Sequence, residues 1–471
     1  MSTLRPRFVR LLAFGFVMMP CFEQVRAVDY YLSPTGKDSN SGTSLATPWA
    51  TFAHAWKELH PGDILYLLDG IYRQSIEPNV RNGQPGAPIT VKALNDGQAM
   101  IDGEGIRETV TLGGGDNPTV GHYFIVEGIV AANSSKNVYE ITGSHNVLRR
   151  VSGYNANTDE NVSVIAINYP SAQYNLVEDC VAAGTGRKMI ILWHSSKNIV
   201  RRCFANWQGW DGRNACQEWP WGENIDVYGS NDNIIENSIG YGSVPYFSIT
   251  VRTNDAEHGA SGNKMLGDIA VYAGMNRDGR AINWPSSRPG PTSCTAMRDW
   301  TSSGQRSGFK SYSHDGRFDG NMWQDILAWG NAGHGFSATG NVLPVKASIN
   351  RATIINNGLD NGYRGNTKDG PIGTDVVFTP ELLAMSITDS AIEGTSYNGE
   401  GARLEHRYVN GVLMDGSDGQ PAQPLWPWPM ESRIRTELNL SVTDEVYYGI
   451  VKGNAPPVPP TLRLLDGLAP R

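Results

Sequence analysis

The chain has few cysteines, few charged residues and no long apolar segment. Only five of its 471 residues are cysteine, and they form no Cys/His spacing typical of a zinc site. Beyond a short apolar run at residues 11–19, no segment approaches the roughly 20 apolar residues that a membrane-spanning helix needs. Charged residues are 18% of the chain and the formal net charge is −8, which argues against nucleic acid or an anionic membrane surface as the main partner.

The first residues have the composition of a secretory leader. Several arginines precede the apolar residues 11–19, and Ala27 ends a stretch that suits cleavage. We therefore expect residues 1–27 to be a signal peptide and the protein to be secreted, periplasmic or on the cell surface. The leader holds four Arg and one Glu, a net charge of +3, so residues 28–471 would carry −11.

A short phrase recurs along the chain, with an Asn followed by an apolar strand and then polar residues. Its clearest copies begin at Asn146, Asn175, Asn198 and Asn233. Weaker copies begin at Phe124, Asn263, Asn321 and Ala347. From Phe124 to Asn233 the successive steps are 22, 29, 23 and 35 residues. Short strands joined by loops of variable length are typical of a β-solenoid, in which stacked copies share one core and the Asn side chains can form ladders.

The repeats predict an all-β fold, a right-handed parallel β-helix. We expect this solenoid to occupy residues 28–398, with roughly nine to eleven turns. The apolar periodicity of residues 48–59 predicts a helix that caps the exposed edge of the first coil. We interpret residues 399–471 as a C-terminal extension that packs on the solenoid and ends in a loose Pro-rich tail.

The four cysteines after residue 27 fall into two pairs. Cys180 and Cys203 hold the same place in successive copies of the phrase, so they should lie one strand spacing apart. We expect a buried stack of thiols there, with a disulfide as the alternative. Cys216 and Cys294 lie in insertions and could pair in an oxidising compartment.

Two intervals between copies are much longer than the others, and such insertions usually crowd the binding face of a solenoid. The first, residues 198–233, is rich in acidic and aromatic residues, including Trp221, which could stack on a sugar ring. The second, residues 263–321, contains Arg280 and Lys310. Both intervals therefore point to a groove for an extended substrate.

Over residues 198–357 the chain resembles the pectate lyases of polysaccharide lyase family nine. The resemblance is carried by Gly-Phe-Lys at residues 308–310, by NMWQDILAWG at residues 321–330 and by the turn that follows. It implies cleavage of an acidic, pectate-like glycan by β-elimination, with Lys310 as the Brønsted base. Arg280 is a second catalytic candidate, and Arg280 or Arg252 could pair with a substrate carboxylate.

β-Elimination removes the proton α to a uronate carboxylate, so the carboxylate must first be neutralised. The resemblance implies that a Ca²⁺ ion does this as a Lewis acid. The candidate calcium ligands are Glu223, Asp226 and Asp211. The preceding coil, residues 184–188, lacks the acid that the family places there. Its basic pair, Arg187 and Lys188, could instead bind the substrate carboxylate directly.

Two other functions remain open. A glycoside hydrolase needs two carboxylates facing each other across a groove, and Asp211 and Asp226 are the only pair that we would nominate. His334 lies in a Gly-His-Gly motif like that of polygalacturonase-like hydrolases, although coincidence is the better account; it is retained as a substrate-binding candidate. A non-catalytic carbohydrate-binding protein is the third possibility. In each case we expect a monomer whose partner is an acidic polysaccharide, with neither nucleic acid nor membrane as a partner.

Overall fold

The computed structural model describes residues 27–354, apart from residues 79–80, 116, 158–159, 210–221, 243–246, 255, 275–306, 315, 341–342 and 345, together with short stretches beyond residue 354. Its one described helix of regular length is α1 (Phe52–Glu58). Among the described residues, no helix is long and apolar enough to cross a membrane. The predicted signal peptide and nearly all of the predicted C-terminal extension lie outside the described residues.

Three long sheets make up the described fold, and every pairing within them is parallel. The first sheet has twelve strands: β1 (Asp29–Leu32), β2 (Ile64–Leu67), β4 (Ile89–Ala93), β7 (Phe124–Glu127), β10 (Val147–Arg149), β13 (Leu176–Glu178), β16 (Ile199–Arg201), β19 (Ile234–Glu236), β22 (Lys264–Leu266), β25 (Met322–Gln324), β28 (Ser348–Asn350) and β31 (Ser386–Thr388).

The second sheet has eleven strands: β3 (Gly70–Tyr72), β5 (Ala99–Asp102), β8 (Val130–Ala132), β11 (Ser152–Tyr154), β14 (Val181–Thr185), β17 (Phe204–Gly209), β20 (Ile239–Tyr241), β23 (Ile269–Val271), β26 (Leu327–Trp329), β29 (Thr353–Ile354) and β32 (Ala391–Ile392). Each of these strands follows a strand of the first sheet along the chain, so the described residues form eleven stacked turns. The predicted parallel β-helix is confirmed.

The third sheet has eight strands: β6 (Val110–Leu112), β9 (Tyr139–Ile141), β12 (Ser163–Asn168), β15 (Lys188–Trp193), β18 (Glu223–Tyr228), β21 (Phe247–Thr253), β24 (Ser307–Ser313) and β27 (Phe336–Gly340). Three further two-stranded pairs follow: β30 (Val377–Phe378) with β33 (Thr395–Ser396), β34 (Tyr408–Val409) with β35 (Val412–Leu413), and β36 (Val446–Tyr447) with β37 (Ile450–Val451).

The recurring asparagines form a buried ladder along the first sheet. The backbone N–H of Asn146 donates to Asn175 Oδ1 at 2.8 Å, that of Asn175 to Asn198 at 2.9 Å, and that of Asn198 to Asn233 at 2.9 Å. Each side chain thus accepts the N–H of the preceding coil just before a strand begins, and all four residues are buried. The strands after these asparagines pair in register, as predicted.

The polar end of the repeated phrase forms the corner between the first and second sheets. Arg150, Asp179, Arg202 and Asn237 all have a positive φ, between 49° and 57°. This left-handed conformation is uncommon for residues other than glycine. Ion pairs between coils stabilise the corner, because Arg202 Nε donates to Asp179 Oδ1 at 2.7 Å.

Two buried cysteines follow equivalent strands of the first sheet. Glu178 pairs with Arg201, so Cys180 and Cys203 hold matching places two residues later. Both are free thiols, which agrees with the predicted stack rather than the disulfide. Burial, together with the neighbouring Cys180, raises the pKa of the Cys203 thiol well above its ordinary value. Cys216 and Cys294 lie outside the described residues.

The predicted capping helix is present with shorter bounds. Thr51 is its N-cap, and the Thr51 side chain accepts the His54 N–H at 3.1 Å. Phe52 and Trp56 are buried and contact the solenoid through ring contacts with Tyr72 and Phe124. The helix begins at Phe52 rather than residue 48 because the preceding residues are extended.

Candidate functional site

The outer face of the third sheet carries two parallel rows of side chains. Residues two apart on a strand share a face, while the residues between them point into the core. Ile225, Ile249 and Phe309, for example, are at most 1% exposed. The strand register therefore defines a first row, Ile191, Asp226, Thr250, Lys310 and Ser337, and a second row, Trp193, Tyr228, Arg252, Tyr312 and Thr339.

Asp226 is the centre of a buried ionic cluster. Arg252 approaches both of its carboxylate oxygens, with Nε 3.1 Å from Oδ1 and Nη2 2.8 Å from Oδ2. Lys188 Nζ lies 3.0 Å from Oδ2. Burial alone would raise the pKa of Asp226, but the charges of Arg252 and Lys188 outweigh burial and hold that pKa well below its ordinary value. Asp226 is therefore ionised throughout the neutral range.

Glu223 lies beside Asp226 and behaves differently. Its Oε2 accepts from Arg252 Nη2 at 3.2 Å, whereas its Oε1 is buried without a hydrogen-bond partner among the described residues. Burial raises the pKa of Glu223 to about 8, although the charge of Arg252 opposes the shift. The two carboxyl groups thus converge on one guanidinium nitrogen, and Glu223 can hold a proton at neutral pH while Asp226 does not.

Two further basic groups belong to the cluster. Burial lowers the pKa of Lys188 to about 8, against the opposing charge of Asp226. Burial also lowers the pKa of Arg187, whose Nε has no hydrogen-bond partner among the described residues. The Tyr228 ring lies 4.7 Å from the Arg252 guanidinium and 5.7 Å from Lys188 Nζ, so its π face stabilises the buried positive charge.

Lys310 lies on the same face as this cluster. Its strand pairs with the Arg252 strand, and Thr250 separates it from Asp226, a Cα distance of roughly 10 Å at two strand spacings. Lys310 Nζ donates to Ser337 Oγ at 3.0 Å and also to the Thr339 hydroxyl. The lysine is only 1% exposed. These hydrogen bonds direct the ammonium toward the following coil.

Aromatic rings surround Lys310 and extend along the second row. Lys310 Nζ lies 5.0 Å from the Phe247 ring and 5.7 Å from the Tyr312 ring. Tyr312, Tyr228 and Trp193 are partly exposed on the outer face. The sequence interpretation did not name these three residues as sugar contacts. The pattern that could have identified them is their position two residues after Lys310, Asp226 and Ile191, which places them on the same face of the sheet.

Of the other residues singled out in the sequence, some lie outside the described part of the chain and some are not part of the ionic cluster. Asp211, Trp221 and Arg280 lie outside the described residues. His334 lies in the turn before β27, where its carbonyl accepts the Gly308 N–H at 2.8 Å. Trp207, a tryptophan of the first long interval, lies in β17, is 2% exposed and donates its Nε1–H to Gly186 O at 2.7 Å, so it packs in the core of the solenoid.

Comparison with known proteins gives partial matches. No protein-family model matches the chain. Over 138 residues it is 29% identical to pectate lyase L of Dickeya chrysanthemi and 28% identical to pectate lyase L of Dickeya dadantii (strain 3937). Each match covers 27% of this chain and 32% of the relative, so the chain spans about a third of the length of these curated relatives. The chain resembles pectate lyases.

Similar solved structures include pectate lyase Pel9A, at 16% identity and a TM-score of 0.44, with 91% of this chain and 88% of that chain covered. They also include the A-module of the Azotobacter vinelandii mannuronan C-5 epimerase AlgE4, at 12% identity and a TM-score of 0.43, with 71% and 77% covered.

The described donors do not fit the calcium ion that the resemblance to pectate lyases implies. Ca²⁺ takes six to eight oxygen ligands, yet both oxygens of Asp226 already bind Arg252 and Lys188. No group of three or more His, Cys, Asp or Glu among the described residues is arranged to hold a metal. Because the third candidate ligand, Asp211, lies outside the described residues, calcium binding stays a prediction, and the roles proposed for the chain's own residues do not depend on it.

Proposed function

We propose that the protein is a polysaccharide lyase that cleaves an acidic, uronate-containing, pectate-like glycan by β-elimination. The observation that carries the proposal is the shared face of β18, β21 and β24, which presents the Asp226 cluster and Lys310 two strands apart, with Thr250 between them. The partial identity to pectate lyase L supports the same reaction class. The polyanionic substrate also explains why cationic side chains are gathered on one face of an acidic chain.

The ionic cluster around Asp226 supplies the first requirement of the reaction, which is neutralisation of the substrate carboxylate. Lys188 and Arg252 contact two carboxyl groups, Arg187 lies beside them, and Glu223 can carry a proton, so the cluster has excess positive charge. A uronate carboxylate bound against Arg187 and Arg252 would be neutralised by charge-assisted hydrogen bonds. Neutralisation lowers the energy of the carbanion-like transition state, because negative charge develops next to that carboxylate.

Lys310 supplies the second requirement, a general base. As a neutral amine it takes the proton α to the carboxylate, the electron pair forms a carbon–carbon double bond, and the bond from the neighbouring carbon to the leaving sugar oxygen breaks. The departing oxygen takes a proton from water. General-base catalysis of this kind contributes about 10²–10⁴-fold in rate.

Thr250 lies between the two parts of the site. Its register partners are Asp226 on one side and Lys310 on the other. Its Oγ1 is buried and has no hydrogen-bond partner among the described residues. We propose that this hydroxyl makes a polar contact with a sugar bound between the cluster and the base.

The aromatic residues of the second row complete the proposed groove. Tyr228 and Tyr312 lie on either side of Arg252 in register, with Trp193 one strand beyond Tyr228. Partly exposed rings on one face suit the apolar faces of sugar rings. We place the protein outside the cytoplasm, as a monomer acting on an acidic polysaccharide, in agreement with the leader-like composition of residues 1–27.

The test is a screen of several uronate polymers, with product followed by the ultraviolet absorbance of the new double bond conjugated to the carboxylate. The proposal predicts that this absorbance appears with at least one polymer and is lost in a Lys310→Ala variant. Release of reducing ends without the absorbance would indicate a glycoside hydrolase instead. Binding without either product would indicate a carbohydrate-binding protein.

A further inference from the structure

We infer that Lys188 and Arg252 take the place of a divalent metal ion, so that this site neutralises its substrate with fixed cations and does not bind calcium. The inference deepens the proposed function and rests on it for the identity of the substrate. It assigns Asp226 to a positioning role, since its charge holds the two cations in place. It also gives Arg187 the role of contacting the substrate carboxylate.

The geometry around Asp226 is that of a filled site. Two carboxyl groups converge, as they would on a metal, but the position between them is held by Arg252 Nη2, 2.8 Å from Asp226 and 3.2 Å from Glu223. Lys188 Nζ lies 3.0 Å from Asp226 Oδ2 and occupies a second side of that carboxylate. A metal ion could enter only by displacing both cations from a buried carboxylate.

The charge of the cluster leads to the same conclusion. The cluster contains three basic side chains, those of Arg187, Lys188 and Arg252, and two acidic ones, those of Glu223 and Asp226. A divalent cation would add to an existing positive excess in a buried site, where repulsion between like charges is strong. A substrate carboxylate would instead relieve the excess.

Strand register explains how the sequence builds this arrangement. Lys188 pairs with Glu223 across β15 and β18, and Arg252 pairs with Tyr228 across β18 and β21. The cations therefore come from the coils on both sides of the acidic strand. The coil before Glu223 has no acid at residues 184–188; its basic residue at 188 pairs with Glu223 in register and reaches Asp226 through its side chain.

Calorimetric titration with CaCl₂ after dialysis against EDTA tests the inference without measuring activity. We expect no calcium binding by the wild-type protein. A Lys188→Asp, Arg252→Gln double variant replaces two positive charges by one negative charge and frees both oxygens of Asp226. We expect this variant to bind calcium. Its fold would be checked by circular dichroism against the wild type.

A matched control comes from the first sheet, where Lys92 Nζ lies 3.3 Å from Glu127 Oε1. A Lys92→Asp variant also adds a carboxylate beside an existing one, but near the surface, and should bind no calcium. If the double variant does not fold, the wild-type titration still decides the question. Calcium binding by the wild type that is abolished by Asp226→Asn would overturn the inference.

Substrate binding gives a second readout. In the presence of EDTA, the wild-type protein should still bind an acidic oligosaccharide, and Arg187→Gln should weaken this binding about tenfold or more through loss of a charge-assisted hydrogen bond. Binding that requires added calcium would overturn the inference even if lyase activity is found. Absence of lyase activity, with unchanged metal-binding results, would instead refute only the proposed function.

Discussion

Replacing Asp226 by Asn provides a direct test of the ionic cluster. The substitution keeps the size of the side chain and removes one charge. Asp226 is fully buried and accepts hydrogen bonds from Lys188 and Arg252. An Asn side chain has one accepting oxygen, and its NH₂ group would face a cation. The variant therefore leaves buried positive charge without its main counter-ion.

Removing one partner of a buried ion pair typically costs 3–5 kcal/mol. Part of this loss should be recovered here, because Glu223 also contacts Arg252 and has a pKa of about 8. Without the negative charge of Asp226 nearby, Glu223 would ionise more readily and take over some of the neutralisation. We therefore expect Asp226→Asn to lower the free energy of unfolding by about 3 kcal/mol, the low end of that range.

Equilibrium urea denaturation, followed by circular dichroism, measures the change. Asp179→Asn is the matched control, because Asp179 pairs with Arg202 on the corner and both side chains are about a quarter exposed, at 24% and 27%. Such a pair contributes about 1 kcal/mol or less. A second variant, Asp226→Asn with Lys188→Met, removes one unpaired cation and should regain part of the stability.

The result that would refute this reasoning is a loss in Asp226→Asn no larger than the loss in Asp179→Asn. The ionic cluster would then not be buried and paired as described. No gain from the added Lys188→Met substitution would show that the cost comes from packing rather than from unpaired charge.

Three other predictions follow from the structure. Lys310→Ala should lower kcat by about 10²–10⁴-fold with an unchanged circular dichroism spectrum; wild-type turnover would eliminate Lys310 as the base. Trp193→Ala should raise KM several-fold and leave kcat nearly unchanged, because Trp193 lies three strands from Lys310 in the sheet. Glu178, buried against Arg149, Arg201 and Arg202, has its pKa lowered to about 2; burial opposes this shift and the arginines outweigh it. Its contribution to stability should be complete above pH ~4.5 and disappear as the pH falls toward about 2, so Glu178→Gln should flatten the acid side of a stability-against-pH curve.

The fold could be predicted from the sequence because the repeated phrase reflects a hydrogen bond that recurs from coil to coil. Each Asn side chain accepts the backbone N–H of the previous coil, so the same residue recurs before six successive first-sheet strands, from β10 to β25. The spacing between copies varies with the length of the loops, but each copy supplies the same hydrogen bond. The positive-φ corner after each strand was not predicted, since Arg, Asp and Asn all fill it and share no residue type.

The site was predictable only in part. Lys310 and Arg252 were named from motif and charge, and both lie on the outer face of the third sheet. Lys188 was interpreted as a substrate-binding residue, whereas the structure pairs it with Asp226, 38 positions away in the sequence. The lengths of the intervening loops decide which residues of neighbouring coils come into contact. The aromatic row was missed for the same reason, because its alignment exists only after the strands are in register.

The separation of strands from loops has a consequence for how such a protein can change. The Asn ladder and strand register set the positions of Asp226, Arg252 and Lys310, while the long intervals at residues 198–233 and 263–321 enter the chain between ladder positions. Each coil contacts only its neighbours, so an interval can be exchanged without shifting the sheet beneath it. Grafting intervals from related solenoids is therefore a practical route to altered glycan preference with the chemistry preserved.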